Sequence, residues 1–119
     1  MFAEGDDEPW CADFVSWVMR EAHAPLSNPN SGSWRIPGVY TMQEYYSAVN
    51  RLEPAGYQPR FGDVVLWGPD SPMGLHTNIV VATEGPIVTT VGGNEEGGIR
   101  LRRNEFRADS HLLGFGRLP

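Results

Sequence analysis

The chain reads as an α+β domain in which the helices come first and the strands follow. Three observations predict this. Residues 10–23 repeat apolar side chains at helical spacing. Residues 41–52 open on a capping box. From residue 63 onward the sequence breaks into short apolar or alternating runs separated by glycine and proline turns. That order predicts N-terminal helices packed on one antiparallel sheet of five to six strands.

In the first helix, expected from Trp10 to His23, the residues Cys11, Phe14, Val15, Val18 and Ala22 fall on one stripe. Asp13 suits the positive end of the helix dipole, and Pro25 stops the helix. Residues 25–39 are rich in Pro, Ser, Asn and Gly and read as a long irregular loop. Such loops are uncommon unless they have a task, and Trp34 inside this one has no periodic partner. The second helix is expected from Thr41 to Leu52, with Thr41 as N-cap, Glu44 completing the box, and Pro54 and Gly56 ending it. Strands are expected at Asp63–Trp67, His76–Thr83, Ile87–Val91, Ile99–Arg103 and Leu112–Leu118, joined as a meander.

A length of 119 residues suits one compact domain over 1–119, with no internal boundary. No apolar run is long enough to span a membrane. The net charge of −6 weighs against a nucleic-acid partner, and Arg100, Arg102 and Arg103 read as a solvated strand face. Residues 1–8 are acidic and lack the basic and apolar segments of a secretory signal. The chain therefore reads as a mature domain or a part of a longer multidomain protein. Glu4, Asp6, Asp7 and Glu8, with Asp13, read as a solvated acidic stretch rather than a calcium loop. No metal and no cofactor is expected. A single cysteine leaves no internal disulfide and no multi-cysteine zinc site.

That lone Cys11 is either a packed core thiol or a nucleophile. It stands where a helix begins, and the free amides and dipole of a helix start favour an anion. Helix-start thiols are accordingly reactive. A thiol nucleophile needs a base, and the base needs an orienting group. His23 sits at the far end of the same helix, roughly 18 Å from Cys11 at 1.5 Å per residue, and reads as a helix-end residue. His111 lies in a polar stretch before the last strand. His76 opens an apolar strand, where a side chain is fixed by the sheet yet open to a cleft. For the orienting group, Asn94 closes the segment Val91-Gly92-Gly93-Asn94, with Glu95 and Glu96 as neighbouring alternatives. The same Gly-Gly-Asn is also ordinary hairpin chemistry.

These segments together resemble a known family. Pro9-Trp10-Cys11-Ala12-Asp13-Phe14-Val15-Ser16-Trp17-Val18 is similar to the nucleophile helix of CHAP domains. These are cysteine, histidine-dependent amidohydrolases/peptidases related to the NlpC-type cell-wall hydrolases. Phe61-Gly62-Asp63-Val64-Val65-Leu66-Trp67 resembles the strand in which Pro commonly precedes Gly-Asp, with Phe61 in its place. His76-Thr77-Asn78-Ile79-Val80 is similar to the histidine strand, with Leu75 where Gly often stands. Val91-Gly92-Gly93-Asn94 resembles the segment of the third catalytic residue. All four arrive in family order and span residues 9–94.

The resemblance implies a papain-like cysteine hydrolase fold with Cys11 as nucleophile, His76 as general base and Asn94 orienting the imidazole. Some members carry a Glu two residues before that Asn; Gly92 stands there here, so Asn94 is expected to serve alone. The implied substrate is an amide of peptidoglycan, either the sugar–peptide bond or one within the stem or bridge peptides, and a secreted or cell-envelope location follows from that substrate. Trp10, Trp34 and Trp67 are candidates to line the groove, against the alternative of packing around the sheet and helices, with Trp67 the first choice for a wall.

Two other classes compete. A metal-dependent hydrolase would use His76 with carboxylates, but no histidine has another at ligand spacing. A non-catalytic wall-binding or interaction module could sit on the same fold.

Overall fold

The computed structural model describes residues 10–107 and 110–119. Two helices precede six strands: α1 (Cys11–Glu21), α2 (Val39–Ala48), β1 (Leu52–Glu53), β2 (Val64–Trp67), β3 (His76–Glu84), β4 (Ile87–Glu95), β5 (Gly98–Glu105) and β6 (Leu112–Gly116). All strands join one antiparallel sheet in the order β1-β6-β2-β3-β4-β5. The α+β class and the antiparallel sheet agree with the sequence reading. The meander holds from β2 to β5, after which the chain returns and β6 slots between β1 and β2.

The four residues of β2 are all buried, as expected for a central strand that reads as a continuous apolar run. Its side chains alternate between two cores. Val64 and Leu66 join α1, α2 and Ile79 on the helical side. Val65 and Trp67 join Val80, Val88 and Phe115 on the other, which Tyr57, Met73, Phe106 and Leu112 cover. The return to β6 carries Phe106, whose ring meets Trp67 and Phe115 at centroid distances of 5.4 and 5.6 Å.

Helix α1 packs across β3 and β4. Its first two turns are buried beyond the apolar stripe, because Asp13 and Ser16 are also covered. The cover is the loop after α1. Ser16 Oγ donates to the Ile36 carbonyl and accepts from the Ile36 amide, and Arg35 lies 3.4 Å from Asp13. Ile36 and Leu26 of that loop are buried, each contributing about 1.5–3 kcal/mol. The irregular loop is thus a second wall for α1.

Both helices end the same way. His23 (φ 61°) and Asn50 (φ 59°) adopt the left-handed conformation. The amide of the following residue reaches back to Met19 in α1 and to Tyr46 in α2. This is the Schellman arrangement. In α2 it accounts for a correction. Helix α2 stops at Ala48 rather than Leu52, so Leu52 and Glu53 are released to pair with Gly116 and Phe115 as an additional strand. At its other end α2 starts two residues early, with Gly38 as N-cap and no side-chain cap bond, so the Thr41–Glu44 box is not used.

Asp63, in the Phe61-Gly62-Asp63 motif, is 2% exposed and ties three segments together. Its carboxylate accepts from Tyr57 Oη at 2.8 Å and from the amides of Arg60 and Leu118, both at 2.9 Å. No helix among the described residues is long and apolar enough to cross a membrane.

Candidate active site

Cys11 is the first residue of α1 and His76 the first of β3, so each is fixed by the end of a regular element. The elements are brought together through Gly93. A Cβ at that position would stand 2.7 Å from Phe14 Cβ and 2.5 Å from the Trp10 ring, so only glycine lets β4 lie this close to the start of α1. Cys11 and His76 are both buried, and the thiol is near enough to the ring to support its positive charge.

The other side of the imidazole is occupied by Glu95. His76 Nε2 meets Glu95 Oε2 at 2.8 Å, which leaves Nδ1 for the sulfur. The same oxygen accepts from Asn78 Nδ2 at 3.1 Å, and Asn78 Oδ1 in turn accepts from Trp67 Nε1 at 3.1 Å. Glu95 Oε1 accepts from Arg102 Nε at 2.9 Å. The residue expected in this position, Asn94, is exposed and has no part in the network.

A β-bulge explains that correction. Gly92 pairs with Arg100 and Glu95 with Gly98, so three steps on β4 oppose two on β5. The extra residue is absorbed at Asn94, which adopts φ 59°, a conformation asparagine tolerates better than most side chains. In an unbroken strand residues 92 and 94 would share a face. With the bulge, Glu95 takes the inward place and Asn94 turns to solvent. The turn itself is Glu96-Gly97, both at positive φ, as a two-residue hairpin requires. Gly92 supplies the room. A Cβ there would collide with the Glu95 carboxylate and stand 2.9 Å from Asn78 Cβ.

Burial alone would drive the imidazolium of His76 toward neutrality. Hydrogen bonds and charge from Cys11 and Glu95 outweigh it, raising the pKa from 6.5 to about 9. Burial likewise opposes the charge on Glu95. The bonds from His76 and Asn78, the charge of His76 and the bond from Arg102 together hold its carboxyl below the usual range.

The tryptophans stand differently from the expectation. Trp67 is 4% exposed and packs behind the site, where it orients Asn78, so it is no groove wall. Trp34 is a platform for arginines, with the guanidinium carbons of Arg20 and Arg35 at 4.8 and 5.5 Å from its ring centre. Trp10, half-buried, lies against Gly93. His23 is the exposed left-handed residue after α1, and His111 is exposed with its carbonyl bound to the Gly68 amide. Glu4, Asp6, Asp7 and Glu8 lie outside the described residues.

Asn78 and Arg102 were not singled out as site residues from sequence. Asn78 reads as a polar interruption in an apolar strand, a usable signal. Arg102 is indistinguishable from its arginine neighbours until β5 is set in register against the bulge.

The CHAP domain family model matches residues 3–94 of the chain. No curated protein and no solved structure matches the chain. The matched span contains Cys11 and His76 and ends at Asn94, one residue before Glu95. Since that span is well over half of the 119 residues, the chain belongs to the CHAP domain family.

Proposed function

We propose that this domain is a papain-like cysteine amidase or endopeptidase that cleaves an amide bond of peptidoglycan. The observation that carries the reading is the buried His76–Glu95 pair beside the start of α1, where the Cys11 thiol is near enough to the imidazole to support its charge. Family membership supports the substrate class, since CHAP domains are cysteine, histidine-dependent amidohydrolases/peptidases. Action on that substrate would place the domain outside the cell or in the envelope.

In this reading Cys11 and His76 work as a thiolate–imidazolium pair. The sulfur attacks the carbonyl carbon of the scissile amide, and the electron pair of the C=O moves to oxygen. The backbone N–H of Cys11, at the open end of α1, helps hold that oxyanion. As the tetrahedral intermediate collapses, the C–N bond breaks and His76 gives its Nδ1 proton to the departing amine. A thioester on Cys11 remains. Neutral His76 then takes a proton from water, the hydroxide adds to the thioester, and the thiolate leaves with the imidazolium restored. Glu95 fills the role assigned to Asn94 from sequence. Its carboxylate accepts the hydrogen bond from Nε2–H throughout and keeps the ring turned toward the sulfur.

The test is digestion of purified peptidoglycan with mass spectrometry of the products. New amino termini without new reducing ends are expected. Cys11→Ala and His76→Ala should each lower the rate by at least about a thousandfold while the fold persists. Wild-type rates in either variant, or new reducing ends, would overturn the reading. Wall binding without product release and indifference to iodoacetamide would establish a binding module instead.

A further inference from the structure

Glu95 receives two of its three bonds from the interior of the sheet, and the third comes from outside. His76 and Asn78 of β3 share Oε2, whereas Oε1 is held by Arg102 of β5, whose side chain is 35% exposed. The guanidinium is therefore the contact that fixes the rotation of the carboxylate from its outer edge. It also brings a charge to the cluster. A thiolate at Cys11, an imidazolium at His76, the Glu95 carboxylate and the Arg102 guanidinium sum to zero; without Arg102 they sum to minus one.

We propose that Arg102 is a positioning residue that acts on the Cys11–His76 pair through Glu95, keeping the carboxylate turned to the imidazole and offsetting its charge. The inference rests on Cys11 and His76 being the reacting pair. The charged groups involved come from every element around the cluster. Cys11 on α1 and Glu95 on β4 face His76; His76 and Arg102 face Glu95. Glu96 in the β4–β5 turn lies 3.9 Å from Arg102 and 3.8 Å from Arg100, and it is exposed. Removing a cation makes proton uptake by its neighbours easier. Loss of Arg102 should therefore move the acid limb of thiol reactivity to higher pH.

Cys11 is the single cysteine, so alkylation by iodoacetamide reads this thiol alone and needs no substrate. The rate would be followed from pH 4 to 9 in the wild type, Arg102→Lys, Arg102→Gln and Glu96→Gln. In Arg102→Gln the acid limb is expected to shift upward and the rate at its midpoint to fall about three- to tenfold. Arg102→Lys keeps the charge but loses the planar fork, and should lie between that variant and the wild type. Glu96→Gln should match the wild type, and peptidoglycan hydrolysis should follow the same pH order. A profile of Arg102→Gln superimposable on the wild type would overturn the proposal. So would equal shifts in both Arg102 variants, because charge would then not matter. Should the wild type leave peptidoglycan intact, the substrate reading fails, and the alkylation profiles still decide the role of Arg102.

Discussion

Asp63 and Glu95 are both 2% exposed, and each accepts hydrogen bonds from three donors, yet the donors differ in kind. Asp63 is held by two backbone amides and a phenol, drawn from residues 57, 60 and 118. These donors are neutral and belong to segments that must be fastened together. Glu95 is held entirely by side chains, and two of its partners, His76 and Arg102, carry charge. The first carboxylate is a clamp. The second sits among groups whose protonation states depend on one another, which is where buried charge points to chemistry. Burial and saturation alone would not have told them apart.

The sharpest way to break the comparison is to neutralise each carboxylate. Glu95→Gln should lower peptidoglycan hydrolysis by up to about 10⁴-fold, the loss seen when an imidazole loses the carboxylate that fixes its tautomer. Circular dichroism should show the fold retained. Asp63→Ala leaves the amides of Arg60 and Leu118 and the Tyr57 hydroxyl without their acceptor. The three donors are only partly buried and regain some water, so the loss should be about 1–3 kcal/mol in total in a denaturant titration. The alkylation profile of the Asp63→Ala protein that remains folded should match the wild type. A shifted profile there, or full activity in Glu95→Gln, would erase the distinction.

A smaller effect concerns stability against pH. His76 titrates at about 9 in the fold against an ordinary 6.5. Its protonation therefore stabilises the fold fully below 6.5, and that contribution fades as the pH rises through about 9. Glu95 is held below its ordinary 4.5, so its contribution is complete above 4.5 and is lost as the pH falls. Thermal midpoints should therefore be highest between about pH 4.5 and 6.5 and decline toward pH 9. Glu95→Gln should flatten the alkaline decline, and Asp63→Ala should leave it in place. An alkaline slope unchanged in Glu95→Gln would mean that Glu95 does not support the imidazolium.

Much of this molecule was legible in its sequence, and the boundary is physical. Helix α1 and strands β2 to β6 depend on periodicity and on turn residues, which are local signals; position alone leaves Cys11 and His76 open, and only the resemblance joins them. The early end of α2 was not legible, because Asn50 gives no composition signal as clear as glycine would. Strand β1 went unseen for the same reason: two residues become a strand only when β6 arrives beside them. The burial of Trp67 is not legible, because it depends on Phe106 crossing from the other edge of the sheet. The inward turn of Glu95 was hidden in a single extra residue. An alternating pattern assigns residues 92 and 94 to one face, and nothing local announces that the register slips before 95.

That slip is open to the most discriminating of the small tests. Asn94 occupies the left-handed region with its side chain in solvent, so Asn94→Gly removes the side chain without a conformational penalty. Hydrolysis should stay within about twofold of the wild type, the margin expected for an exposed substitution. Asn94→Ala keeps a Cβ in the same conformation and should cost about 1 kcal/mol of stability, again with little change in rate. Read beside Glu95→Gln, the pair assigns the imidazole's partner from both directions. A collapse of activity in Asn94→Gly to the level of Cys11→Ala, with Glu95→Gln still active, would show that the working enzyme turns Asn94 inward. The bulge would then be a resting arrangement of β4 rather than the one in which His76 transfers its proton.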